Sequence, residues 1–535
     1  MWPDVVIFWG AGATSYLGFP TTKEQGEIIR KLASNERLSN NDISDIFFNI
    51  KEPLMNLLIA LGHNSNSTLG EINEEELNCF LKFLKKGNKF KELRKEGIRD
   101  RLIWLRRYYD WDALKNIINI CPEENFLQNL FNIIDLNLSK GTGMYVPDKR
   151  RGNVFLNIDR LKGSRNCLIF LIQLMISSTY ERIVREKRQE LEPYIKFAEA
   201  LARLMVEEAK EKSLRTELNK RDFYLFSYAI ISMNFDPILF WLLLNAHKKV
   251  NDRESTRLFS CPLKLFLDVG NVIANYSIRK NPKEDDFQFS FHESVAQRIN
   301  DKKYKLNRIV RVGKFYFPHG SSIIRECPNC GKYFMLLGEE WSYYSNTLFP
   351  VNIIPYLRRI PPISEKEKDE IEHKYKTDSI TCPYCGSLTE TSNSVMVMQT
   401  LFKQNLPLFV EEVQKEIKVC LENAKHIVLL GYSFPIDDVV WETTLLSKKS
   451  SKKDTYCSVV VGFKGEKRWL EGKELENFVK IHKGKEEYGT PTIEKMMRIF
   501  GKNNVRAYTG GIPNVWSKGD TYGNVINLLY PKFIR

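Results

Sequence analysis

The sequence predicts an α/β protein: a parallel sheet with helices on both faces, interrupted by a large helical insertion and joined to a small cysteine-rich module. Three features carry that prediction. The chain opens with VVIFW running straight into a glycine turn, GAGATS, over residues 5–15. After residue 222 come four more apolar runs, FSYAIISM, NRIVRVGKFYF, HIVLLGY and CSVVVGF, with helical stretches such as FVEEVQKEIKVCLENA between them. Near-continuous apolar strands alternating with helices are the pattern of a parallel sheet covered on both sides. Finally, CPNCG at 327–331 and CPYCG at 382–386 are two copies of one knuckle.

Taken in order, residues 5–9 form the first strand. Thr22 and Gln25 have capping-box spacing, so a helix is expected from near Lys23. From about 35 to 220 apolar residues recur at three and four with charges between them, which predicts helices and few strands. The greasy segment 222–249 has Asn234, Asp236 and Pro237 in its middle. It therefore reads as a buried strand, a polar turn and a buried helix, and not as a membrane span. KKSSKK at 448–453 reads as an exposed loop. The resulting organisation is a first strand and loop (1–34), a helical insertion (35–220), a continuation of the sheet domain (221–320), a cysteine module (321–394) and a C-terminal part of the sheet domain (395–535).

The 535 residues are 43% hydrophobic and 27% charged, which excludes global disorder. The net charge of +14 is uneven: between Lys82 and Arg107 eleven Lys or Arg face three acids. The simplest account is a solvated face of two helices with Leu81, Leu84, Ile98, Leu102 and Leu105 turned inward, so nucleic acid is expected only as a weak or indirect partner. No signal peptide or clean span is visible, which implies a cytoplasmic protein with no membrane partner. Six cysteines are scattered singly, as small core residues are.

The other four cluster. Cys327 and Cys330, with Cys382 and Cys385, supply four soft thiolate ligands at the spacing of a tetrahedral Zn²⁺ site. With every position filled by thiolate, the metal holds structure and does no chemistry. The Gly10-Ala11-Gly12-Ala13-Thr14-Ser15 turn after a strand is a Rossmann-like opening, whose backbone N–H groups can nest a phosphate. In a parallel sheet, ligands sit at the carboxyl ends of the strands. Four segments stand there: GAGATS, Asn234-Phe235-Asp236, His319-Gly320 and Gly431-Tyr432-Ser433. No third glycine completes the dehydrogenase fingerprint, and no acid ends a second strand about 20 residues on, so a redox dinucleotide is disfavoured.

These segments, with the paired knuckles, appear in an order that resembles the sirtuin family. The resemblance covers the strands at both ends and the cysteine module, and leaves the helical block outside. It implies a sirtuin-like fold with NAD⁺ as substrate and Zn²⁺ as structural metal. It also implies roles: Asp236 bonding the nicotinamide carboxamide, Asn234 binding the ribose or the attacking water, His319 as general base, and Gly431 and Ser433 lining the adenosine ribose. Two departures qualify it. Pro20 is followed by Thr21-Thr22-Lys23 where deacylases carry Asp-Phe-Arg, and SVMVMQTLFKQNLP lacks their peptide-clamping strand. With GYSFPIDD at 431–438, the chain looks similar to bacterial sirtuin-like NAD⁺ hydrolases of antiphage defence. That implies an NAD⁺ glycohydrolase silent until triggered, in a homo-oligomer or with a partner such as a hexameric translocase-type ATPase. A protein-lysine deacylase and a non-catalytic NAD⁺ or ADP-ribose sensor are the alternatives.

Plainer roles stand beside these. Asp236, before Pro237, can cap the helix that follows; Asn234 can satisfy a turn; His319 can be a loop histidine bonded to backbone. Thr14 and Ser15 are ordinary turn residues. His63, His247, His292, His373, His426 and His482 belong to no motif.

Overall fold

The computed structural model describes residues 2–34, 51–63, 71–87, 95–148, 152–186, 188–213, 226–252, 257–258, 261–270, 273–275, 289–290, 309–326, 330–336, 394–397, 407–435, 438–450, 455–462, 467–485 and 489–531. The fold is α/β with a mostly parallel mixed sheet and many helices. In chain order its strands are β1 (Val5–Trp9), β2 (Met144–Asp148), β3 (Gly152–Leu156), β4 (Phe226–Ser232), β5 (Arg257–Leu258), β6 (Cys261–Asp268), β7 (Ile273–Asn275) and β8 (Phe289–Ser290). After them come β9 (Ile309–Tyr316), β10 (Gly320–Glu326), β11 (Tyr333–Leu336), β12 (Ser394–Met396), β13 (His426–Leu430), β14 (Tyr456–Val460), β15 (Trp469–Glu471) and β16 (Val505–Tyr508).

The main sheet runs β15-β16-β14-β13-β1-β4-β9-β6-β5. Its interior pairings are parallel, and only the edges β15 and the two-residue β5 run antiparallel. The core strands are apolar on both faces: every residue of β1 and β13 is buried, as a sheet packed on both sides requires. Of the segment 222–249, residues 226–249 form β4, a turn, and most of the helix Ile238–Asp252, and 222–225 lie outside the described residues. Among the described residues no helix is long and apolar enough to cross a membrane.

Four expectations shift. The capping box is one residue earlier: Thr21 caps the helix Thr22–Ala33, and Glu24 returns the bond to the Thr21 N–H at 2.7 Å. The 35–220 block holds a hairpin, β2 paired antiparallel with β3, that its helical periodicity hid. Lys448 belongs to the helix Val439–Ser450, where its ammonium is buried against the carbonyls of Leu421 and Ala424, and is no part of an exposed loop. Residues 273–275 and 289–290 join the cysteine-module strands in a second sheet, β12-β10-β11-β7-β8. Leu102 and Leu105 of the basic segment are buried as expected and Leu81 is half-buried; the side chains of Leu84 and Ile98 lie outside the description.

Candidate functional site

At the carboxyl ends of β13, β1 and β4, three neighbours in the sheet, lies a cleft of about 390 Å³, within the range of small-molecule sites. Ala11, Gly12 and Thr14 line it from the first loop, Asn234 and Asp236 from the turn after β4, and Gly431 and Ser433 from the turn after β13. These segments are hundreds of residues apart in the chain, and only parallel pairing aligns their ends. Gly10, Ala13, Ser15 and His319 are not among the lining residues.

The glycines act first through packing. The Gly10 N–H donates to Leu430 O at 2.9 Å and the Gly12 N–H to Gly431 O at 3.0 Å. A Cβ on Gly10 would sit 2.4 Å from Gly431 O, and one on Gly431, whose φ is +61°, would sit 2.1 Å from Ala13 N. Only glycine permits that approach. The Ala13 N–H donates to Gly10 O and the Ser15 N–H to Ala11 O. Of the six amides expected to nest a phosphate, those of Gly10, Gly12, Ala13 and Ser15 donate inside the protein, because the loop closes at once into a four-residue helix, Ala11–Thr14.

Beside that loop three polar side chains form a buried chain. Asn234 Nδ2 donates to Gly10 O at 3.1 Å and to Thr14 Oγ1 at 3.2 Å; the Thr14 hydroxyl donates to Asp236 Oδ2 at 3.3 Å. Asp236 Oδ1 also accepts from the Ile238 N–H at 3.3 Å, so it caps the following helix as well as facing the cleft. Burial pushes its carboxyl up to about 6 against the hydrogen bonds that favour its charge. The bridging role of Thr14 was not visible in the sequence, since Thr in a tight turn usually serves the turn alone.

His319 is placed differently from its expected role. It is fully buried, and its Nε2 lies 3.3 Å from Asp438 Oδ1. Asp438 Oδ2 in turn accepts from the Tyr432 hydroxyl, and Tyr432 lines the cleft. The imidazole thus pairs with a carboxylate that also holds the Tyr432 hydroxyl. Asp438 is a site-associated residue that was not singled out in the sequence; GYSFPIDD contains it, but nothing in its spacing ties Asp438 to a residue 119 positions away. Phe434, at φ +57°, packs edge-on against Phe8 and tilted against Tyr432, which itself stacks on Phe8.

The insertion also reaches the cleft: Gln128 and Ile176 line it. Of the knuckle cysteines, Cys330 is described and exposed, while Cys327, Cys382 and Cys385 lie outside the described residues. Among the described residues no group of three metal-ligating side chains occurs. His63, His247 and His426 are buried, each with a hydrogen-bonding partner, and burial lowers them to about 4, 3 and 3; His292 and His373 lie outside the description. Compared with known proteins, the chain matches no protein-family model and no curated protein.

Proposed function

We propose that this chain is a sirtuin-like NAD⁺ glycohydrolase, cleaving NAD⁺ to nicotinamide and ADP-ribose as an antiphage effector that depletes the dinucleotide when triggered. The observation that carries the reading is the convergence of GAGATS, Asn234-Phe235-Asp236 and Gly431-Tyr432-Ser433 on one cleft at the carboxyl ends of adjacent parallel strands. Cleavage leaves positive charge on the ribose as nicotinamide departs. A carboxyl titrating near 6 is mostly ionised at neutral pH, and Asp236 sets that charge where the cation develops. Asn234, oriented through its Nδ2 by Gly10 and Thr14, offers its carbonyl end to an attacking water. Gly431 and Ser433 serve the adenosine ribose.

His319 behind Tyr432 fits an enzyme held silent, and an NAD⁺ hydrolase needs such restraint to spare its host. The same burial favours the sensor as the second reading. A structural Zn²⁺ on Cys327, Cys330, Cys382 and Cys385 fits the topology. The first knuckle falls in the connection between β10 and β11, and Ser394, a few residues past the second knuckle, pairs with Arg325 beside the first. Bound by these four thiolates, a Zn²⁺ would pin the two knuckles together and would take no part in the reaction.

The test is product identification by mass after incubation with NAD⁺, with and without an acetyl-lysine peptide. Free nicotinamide and ADP-ribose without peptide, lost in Asn234→Ala, supports the hydrolase. Acetyl-ADP-ribose formed only with peptide establishes the deacylase, and tight binding without turnover under every trigger establishes the sensor.

A further inference from the structure

We propose that the helical insertion is a working wall of the ligand cleft, and that Tyr194 is the positioning residue through which it sets the glycine loop. The insertion lies outside every motif that points to the nucleotide, yet three separate contacts bring it to the site.

The first is a hydrogen bond. The Tyr194 hydroxyl, on the helix Arg188–Ser213, donates to Ala13 O at 2.8 Å, and both residues are fully buried. The helix Ala11–Thr14 is too short to satisfy its own last carbonyls, so the Ala13 oxygen needs a partner from elsewhere. Tyr194 supplies it. Its ring is held edge-on by Trp9, with centroids 6.2 Å apart, and by Trp516, 6.0 Å apart, which leaves the hydroxyl little freedom. The preceding residue is anchored too: Pro193 O accepts from Trp516 Nε1 at 3.0 Å.

The second contact lies at the far end of the same loop. Gly18, at φ +84°, faces the Arg182 guanidinium, which stands 2.4 Å from where a Cβ would be. The third is direct: Gln128 and Ile176 line the same cleft as Asn234 and Asp236. Gln128 brings a primary amide, able to donate to and accept from a nucleotide's polar edge. One helix of the insertion therefore fixes the loop at Ala13, a second lies close against it at Gly18, and the insertion presents Gln128 to whatever the loop binds. Any partner that shifts the insertion acts on the loop through these contacts.

The test uses the full chain. Tyr194→Phe keeps the ring packing and removes only the hydroxyl. Hydrogen–deuterium exchange is expected to speed at least tenfold in peptides spanning residues 10–18, with the C-terminal strands β14 and β16 unchanged. NAD⁺ affinity, which rests on the proposed function, is expected to fall about tenfold in the same variant. Gln128→Ala is expected to lower affinity without changing exchange in the loop. Unchanged exchange at 10–18 in Tyr194→Phe overturns the inference, as does exchange that rises equally throughout the chain. A wild-type protein that binds no NAD⁺ overturns the proposed function, and the exchange result still decides this inference.

Discussion

At the scale of single residues, Asp236 shows how one side chain serves structure and chemistry together. It caps a helix, accepts from Thr14 and lines the cleft. Burial disfavours its charged form and raises its pKa from 3.8 to about 6. The consequence for stability has a definite sign: the favourable contribution is complete below the unfolded value near 3.8 and is lost as pH rises through 6. Asp236→Asn keeps one oxygen to accept from the Ile238 N–H, turns an amide N–H toward the Thr14 hydroxyl oxygen in place of the second acceptor, and cannot ionise. It is expected to be more stable than wild type at pH 8 by on the order of 2 kcal/mol, with the gap closing between pH 6 and pH 4. Urea midpoints at the three pH values check this, and a variant less stable than wild type at pH 8 contradicts it. Asn234 and Asp236 were readable as candidates because they follow a strand of continuous apolar residues. The pairing of His319 with Asp438 was not, since a contact between distant loops leaves no periodic trace.

Among the elements, the strands were the most legible. VVIFW and HIVLL are buried throughout, FSYAIIS at every residue after Phe226, and they carry the β-branched and aromatic residues that suit a covered sheet. The hairpin of β2 and β3 was hidden because Tyr145 and Phe155 face outward and only Val146 and Leu156 are fully buried, so no clean alternation marks it. Within the insertion, helix ends are set by particular polar residues. Asp110 caps the helix Trp111–Ile120, accepting from the Ala113 N–H at 2.8 Å, and also takes a two-pronged contact from Arg160 at 2.7 and 3.1 Å. That pair ties Trp111–Ile120 to the helix Ile158–Glu186. Asp110→Asn keeps a good cap and removes the charge. It is expected to cost about 1–3 kcal/mol, softened by Asp112, which still holds Arg160 at 3.0 Å. Asp110→Ala removes the cap as well and is expected to cost about 1 kcal/mol more. Denaturant midpoints equal to wild type in both variants would show that the pair contributes nothing.

For the whole molecule, the sheet order explains why a site assembled at all. β13, β1 and β4 are neighbours and parallel, so their three following turns meet on one edge although residues 10, 234 and 431 are far apart in the chain. The sequence identified which segments stand at strand ends; it could not reveal that the Gly12 amide donates to the Gly431 turn or that Gln128 and Ile176 of the insertion line the cleft, because both depend on tertiary approach. The central claim is that NAD⁺ occupies this cleft. The most direct measurement is a crystal structure of Asn234→Ala, chosen to slow turnover, soaked with NAD⁺. Density for the dinucleotide is expected between Gly12, Asp236 and Ser433, with its nicotinamide end toward Asp236. Dinucleotide bound at any other surface, with the cleft empty at saturating NAD⁺, would contradict it.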